Sequence, residues 1–451
     1  MKLYNSATGE IKEFSPNKPN EVSLYYCGPT VQSGPHVGHL MSAVIFDQLI
    51  RWFEFSGYKV KAVRNVTDID DKILAKATED TPWWQLAHEN EEIFNKAYRQ
   101  LNVKDMSYVP HATAHIPEII ALIQNLIDGG HAYEANGNVF FSVRSWDGYG
   151  MITRQKVENM VSSEVDELGK KDVLDFALWK AAKTTEPEDA TWDTPWGRGR
   201  PGWHIECSAM STKYLGKQFD IHGGGLDLRF PHHENENAQA KAADYEYANI
   251  WMHHGMVNVE NQKMSKSIGN VLGPDELFSE VRPAVVRYFL STAHYRSTLD
   301  FTMKGLHEAE TALNRIEKFI ARFDDSVVGK DVPTEFKAAM DDDLSVPTAL
   351  AIVHETVRAG NKAISNNEQD KAKEFASKVL AMMDVLGIEL AASGNSADND
   401  RVLGTLVEHI LEQRSTARKN KDWDMADKLR ELLNEAGIKV EDGADGATWR
   451  I

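Results

Sequence analysis

The chain has 451 residues, 42% of them hydrophobic and 26% charged, the make-up of a globular protein long enough for two to four packed domains. It contains no run of eighteen apolar residues, which excludes a transmembrane helix, and its two cysteines exclude a disulfide-held scaffold. Acidic residues exceed basic ones by 68 to 50, for a formal charge of -18; this disfavours a nucleic-acid partner for the surface as a whole but leaves room for a local basic face. The opening MKLYNSATGE has no apolar stretch and no small-residue cleavage site, so an unprocessed cytoplasmic start is expected.

In chain order, residues 21 to 27 read as a strand that ends at Gly28-Pro29. Val37, Leu40, Val44, Leu49, Trp52 and Phe53 recur at helical spacing, predicting a helix over 37–55 that Gly57 stops. A second strand over 59–66 leads into the acidic turn Asp68-Ile69-Asp70-Asp71. Strand, helix and strand within about forty residues favour a right-handed crossover and a parallel sheet. Helical patterns follow over 81–102 and 116–129. Residues 131–200 hold a strand-like pair around Gly137 to Phe141, a charged stretch and a run rich in Gly, Pro and Trp, and read as an insertion between two halves of a nucleotide-binding fold. Beyond Asp275 the chain is mostly amphipathic helix, with helices expected over 306–323, 341–359 and 370–386. A polar linker at 391–396 precedes a last block, 402–451, of two helices and a short terminal piece.

Three groups of residues carry chemistry. His36-Val37-Gly38-His39 places two imidazoles in the first turn of a helix that follows a strand, where free N–H groups and the helix dipole favour a phosphate. Its bland reading is a helix start with two surface histidines. Lys263-Met264-Ser265-Lys266-Ser267-Ile268-Gly269-Asn270 offers two lysines and hydroxyls able to clamp a triphosphate, or is a solvated basic loop. His232 and Glu236 share one helix face just after Pro231, which suits a first helical position. If the two halves of the sheet meet, they join Cys27 and Cys207 as tetrahedral ligands for Zn²⁺; otherwise the cysteines are buried apolar residues and the pair is a helix-surface contact.

Longer stretches narrow these choices. Tyr26-Cys27-Gly28-Pro29-Thr30, His36 to His39, Arg64-Asn65-Val66-Thr67-Asp68-Ile69-Asp70-Asp71-Lys72, GWHIECSAMSTKYLG (202–216), DIHGGGLDLRFPHHENENAQA (220–240) and the lysine–serine loop resemble the cysteinyl-tRNA synthetases, class I aminoacyl-tRNA synthetases. The likeness runs through FKAAMDDDLSVPTAL (336–350) to the C-terminal TWR and is closest in wording to the actinobacterial branch. Val37 replaces the common Ile of the first signature.

The resemblance implies an α/β fold: a class I Rossmann-type parallel-sheet catalytic domain in two halves (1–130 and 201–274) around a connective insertion (131–200). A stem-contact region (275–320), a helical bundle (321–390) and a small anticodon-binding domain (397–451) follow. It implies ATP-dependent ligation of L-cysteine to tRNA(Cys) through a cysteinyl-adenylate. One zinc ion per subunit is held by Cys27, Cys207, His232 and Glu236 and binds the substrate thiolate, and Mg²⁺ accompanies ATP. Cysteine then sits among Gly28, Thr30, Thr67, Trp203 and His204. ATP sits against His36, Gly38, His39, Gly225, Asp227, Lys263, Ser265, Lys266 and Ser267, with His36, His39, Lys263 and Lys266 catalytic. Arg414, Arg418, Lys419, Lys421 and Trp449 are the candidate tRNA contacts. A cytoplasmic monomer with no membrane partner is expected. The rival readings are the cysteine–amino sugar ligase of mycothiol biosynthesis, which shares the adenylation site, and a retired, non-catalytic synthetase fold.

Overall fold

Val22, Leu24, Tyr25 and Tyr26 are buried almost without alternation, as in a strand covered on both faces. The strand Glu21–Tyr26 lies inside a four-stranded, wholly parallel sheet whose order is Tyr247–His254, Gln218–Gly225, Glu21–Tyr26 and Lys59–Arg64. The computed structural model describes residues 1–160, 169–259, 262–263, 273–324, 326–391, 396–443 and 446–450. The chain enters this sheet at Glu21–Tyr26, steps outward to Lys59–Arg64, and returns on the other side through Gln218–Gly225. That reversal opens a crevice at the carboxyl ends of the two central strands, where ligands of open α/β sheets bind.

The crossover helix spans Val37–Phe55, as its apolar spacing predicts, and buries Val37, Leu40, Val44, Leu49, Trp52 and Phe53. The next strand ends at Arg64, two residues before the expected Val66, which instead makes a single bridge to His111. The insertion is a four-stranded antiparallel sheet, Ala132–Ala135, Asn138–Phe141, Phe176–Ala181 and Gly199–Pro201. The first two strands were expected; the other two lie in segments whose charge, Gly and Pro hid them. The insertion has a core of its own, in which Val139, Phe141, Phe176 and Leu178 pack with Ile205 and Ala209 of the helix Trp203–Leu215.

Helices Met303–Ile320 and Gln369–Leu386 appear near their expected bounds. The helix expected over 341–359 does not form as one element. Thr334–Asp341 ends there, Asp343 and Leu344 turn with φ of 55° and 51°, and a new helix runs Val346–Ser365. The turn is held because the Asp343 carboxylate accepts the Tyr4 N–H (2.8 Å), the Tyr295 hydroxyl (2.7 Å) and Arg296 Nε (2.7 Å). Periodicity cannot reveal such a long-range capture.

Residues 1–390 form one compact unit and 391–451 a second. In the second, helices Ser396–Lys419 and Trp423–Glu435 and the hairpin Lys439–Gly443/Gly446–Arg450 enclose a small core of Val407, Leu433 and Ile438. Most of the expected linker, 392–395, lies outside the described residues, and the first helix begins at Ser396, six residues before the expected 402. Among the described residues no helix is long and apolar enough to cross a membrane.

Candidate metal centre and nucleotide cleft

The crevice is a cavity of about 410 Å³. His36 is the N-cap of helix Val37–Phe55 and His39 its third residue. His36 Nδ1 accepts the Gly38 N–H (3.2 Å), and His39 Nδ1 accepts the His36 N–H (3.2 Å), a capping box built from two imidazoles whose rings stack at 3.7 Å. With both Nδ1 atoms accepting, the neutral rings carry their protons on Nε2. Gly38 joins both histidines on the cavity wall, together with Gly28, Thr30, Trp203, Gly225 and Asp227. The cleft therefore unites, from three separate stretches, most of the residues assigned to cysteine and ATP.

Gly28 has a steric reason to be glycine. A Cβ there would lie 1.7 Å from the Asn65 carbonyl oxygen, because residues 29–31 pair with 67 through Thr67 N–H to Pro29 O (3.0 Å) and Val31 N–H to Thr67 O (3.2 Å). Asn65 Oδ1 also accepts the Gly28 N–H (2.8 Å).

Cys27 follows the last residue of its strand. Cys207 lies in the second turn of helix Trp203–Leu215, and His232 and Glu236 lie on helix His232–Ala242. Pro231 is the residue before that helix, not its first as expected. The two sulfurs are 3.8 Å apart, Cys27 Sγ is 3.4 Å from Glu236 Oε1, and His232 Nε2 is 3.0 Å from the same oxygen. All four are buried, and their donor atoms lie within 4.8 Å of one another, close enough to hold one metal ion. Cys27, His222, His233 and Glu236 form a second such group. There His233 Nε2 lies 3.3 Å from Cys27 Sγ with its Nδ1 bonded to His253 Nε2 (2.7 Å), and His222 Nε2 donates to Glu236 Oε2 (2.8 Å); the first group is the one that brings the two thiols together, the donors that suit Zn²⁺.

Three family profiles cover most of the chain: "tRNA synthetases class I (C) catalytic domain" over residues 13–311, "DALR domain" over 335–391 and "Cysteinyl-tRNA ligase anticodon binding domain" over 401–450. Along all of its length the chain is 50% identical to the cysteine–tRNA ligase of Renibacterium salmoninarum, covering 98% of that protein. It is likewise 51% identical to that of Arthrobacter sp., covering 99% of it. The chain belongs to the cysteinyl-tRNA synthetase family. Solved structures of similar fold include methionyl-tRNA synthetase of Mycobacterium tuberculosis (TM-score 0.58, 15% identity, 81% of this chain and 89% of that one). A putative arginyl-tRNA synthetase of Campylobacter jejuni is also similar (TM-score 0.55, 16% identity, 83% and 93%).

The electrostatics of the cluster are those of crowded donors. Burial opposes charge on Glu236, but His222 and His232 outweigh it and hold the carboxyl well below its usual range. Burial likewise disfavours charge on His232, yet Glu236 and Cys207 push it up to about 10. Burial raises the Cys27 thiol well above its ordinary value, and Cys207 and Glu236 add to this. A divalent cation held by these donors would remove the conflict and favour the thiolates.

Some assigned residues lie elsewhere. Thr67 and His204 are buried and do not line the cavity. Thr67 donates to Glu206 Oε2 (3.0 Å), and His204 Nδ1 is bonded to His232 Nδ1 (2.9 Å). Ser265, Lys266, Ser267 and the side chain of Lys263 lie outside the described residues; the Lys263 backbone pairs with Asn258. In the C-terminal unit Arg418, Lys419 and Lys421 are exposed, but Arg414 is buried and Trp449 packs against the small core. The exposed aromatic there is Trp423, 59% accessible and two residues from Lys421. Sequence reasoning also passed over Arg64, Lys72, Tyr98 and His254, which line the cavity. Arg64 and Lys72 bound a stretch already singled out; Tyr98 and His254 carry no local signal.

Proposed function

We propose that the chain joins L-cysteine to tRNA(Cys) at the expense of ATP, through cysteinyl-adenylate, and that a zinc ion held by Cys27, Cys207, His232 and Glu236 selects the amino acid. The observation that carries this is the meeting of two sulfurs, one imidazole and one carboxylate within 4.8 Å, with Cys27 also on the wall of the cavity that His36 and His39 line. Such a donor set suits Zn²⁺, which supplies affinity for a soft thiolate over a hydroxyl and so separates cysteine from its near-isostere serine.

The chain's own residues do the rest by position and charge. His36 and His39 present Nε2–H donors toward the phosphates at a helix N-terminus. Trp203, stacked 4.1 Å from the His232 ring, forms a wall of the amino-acid end, and Asp227 suits the ribose hydroxyls. Lys263 and Lys266 stabilise the charge that develops as pyrophosphate leaves. The cysteine carboxylate attacks the α-phosphate; the terminal ribose hydroxyl of tRNA then attacks the mixed anhydride, and neither step needs a covalent enzyme nucleophile. Arg418, Lys419, Lys421 and Trp423 are the tRNA-facing candidates of the C-terminal unit. The protein works in the cytoplasm as a monomer, with Mg²⁺ accompanying ATP.

The test is cysteine-dependent ATP–pyrophosphate exchange with serine as control, metal analysis of the same preparation, and charging of tRNA(Cys). Exchange with cysteine but not serine, one zinc per chain and charging support the proposal. Exchange without charging would move it to the cysteine–amino sugar ligase, against which the match of residues 401–450 to an anticodon-binding profile weighs.

A further inference from the structure

Glu236 is the carboxylate of the metal cluster, and its two oxygens have different surroundings. Oε1 faces Cys27 Sγ and His232 Nε2 at 3.4 and 3.0 Å. Oε2 turns the other way and accepts from His222 Nε2 at 2.8 Å and from the Tyr247 hydroxyl at 2.9 Å. An ionised carboxylate can only accept, so the phenol proton is committed to Oε2, and Ser211 Oγ meets the phenol oxygen from behind at 3.0 Å.

Tyr247 reaches this place at a conformational cost. It opens the strand Tyr247–His254 with a φ of 57°, a region that bulky side chains rarely enter. The backbone is held there by its N–H to Lys217 O (2.8 Å), and the ring packs edge-on against Phe219 at 5.0 Å. Strained backbone that the surroundings over-determine is common where a side chain must be aimed. Here what is aimed is one hydroxyl, fully buried, onto one oxygen.

We propose that Tyr247, with His222, is a positioning residue that holds the outer oxygen of Glu236, so that a metal receives this carboxylate through Oε1 alone. One-oxygen ligation leaves room on the ion for a sulfur from the substrate; a carboxylate free to rotate takes that room with its second oxygen. The proposal rests on the reading of Cys27, Cys207, His232 and Glu236 as metal ligands.

The experiment uses the full chain, stripped of metal and reloaded with zinc or cobalt(II). For Tyr247→Phe, which keeps the ring, zinc affinity measured against a chromophoric chelator is expected to fall about tenfold, the lower end of losses seen for groups that orient a metal ligand. The cobalt visible bands are expected to weaken as the carboxylate brings in its second oxygen, and the spectral change on adding cysteine to shrink. Unchanged zinc affinity together with an unchanged cobalt spectrum would overturn the role of Tyr247. His222→Gln, whose amide N–H still donates, is expected to keep the parent spectrum, whereas His222→Ala loses it. That pair carries the test if the phenylalanine variant does not fold, and equal spectra for both would refute the proposal. A parent chain that binds no zinc, or a Glu236→Ala variant with full metal content, would instead sink the underlying ligand assignment.

Discussion

Replacing Gly28 by alanine tests whether the cleft depends on the close approach of two backbone segments. The added Cβ meets the Asn65 carbonyl oxygen at 1.7 Å and its carbon at 2.8 Å, whereas ordinary contact begins at 3.4 Å. The two segments must therefore part by about half the ordinary contact distance, and the obstacle is main chain, with no side-chain torsion to relieve it. Parting them strains the Gly28 N–H to Asn65 Oδ1 bond and the Thr67-to-Pro29 and Val31-to-Thr67 bonds. Overpacking of this kind costs about 1–3 kcal/mol, and the rigid neighbour puts Gly28→Ala near the upper end. The same shift moves Cys27 and Thr30 on the cavity wall by an ångström or more, which costs about a hundredfold where reacting groups must be aligned. The expected result is a loss of about a hundredfold in kcat/KM for cysteine-dependent ATP–pyrophosphate exchange, with a lower urea midpoint and retained helical circular dichroism. Exchange within threefold of the parent at an unchanged midpoint would refute the reasoning, because it would mean that the two segments part without cost.

Other consequences follow from residues away from the cleft wall. Burial raises the pKa of Asp71, but Arg200, Lys180 and Lys183 more than offset it and bring it to about 2. A carboxyl so depressed stabilises the fold above its unfolded pKa of about 4 and loses that contribution as pH falls toward 2. Asp71→Asn is thus expected to lower stability at pH 7 by no more than about 1 kcal/mol, since the group is partly exposed, and the gap in urea midpoint should close by about pH 2; a gap that widens on acidification contradicts the sign. Arg287 is buried against Asp47 and donates to Leu386 O (3.0 Å) and Leu101 O (2.8 Å). Removing one partner of such a pair costs about 3–5 kcal/mol; Arg287→Met is expected near 3 because Arg51 still holds Asp47 at 2.8 Å, and a change under 0.5 kcal/mol in urea unfolding would discount the pair. Trp423→Ala is expected to slow tRNA charging at least tenfold while leaving ATP–pyrophosphate exchange unchanged, as loss of a base-stacking ring would; equal charging by both proteins would remove Trp423 from the RNA surface.

Local pattern carried much of this. The helix Val37–Phe55 has its expected bounds because its apolar stripe is long and covers a sheet, and nothing distant interrupts it. The helix expected over 341–359 failed because Asp343 is captured by Tyr4, Tyr295 and Arg296, residues remote in the chain. Thr67 and His204 were assigned to the substrate by the family resemblance alone. In the fold both side chains are buried and bonded, Thr67 to Glu206 and His204 to His232, partners that no local pattern names.

The donor atoms themselves, two thiols with an imidazole and a carboxylate four residues apart on one helix, were legible in the order of residues, since side-chain chemistry and helical periodicity are local properties. Their convergence was not: Cys27 and Cys207 stand 180 positions apart and meet only because the chain returns across the parallel sheet beside its own first strand. The same return brings His222 and Tyr247 to one oxygen of Glu236 while the other faces Cys27 Sγ. The place of Tyr247 belongs to its pairing beside Gln218, a hydrogen-bonded register that no local pattern encodes.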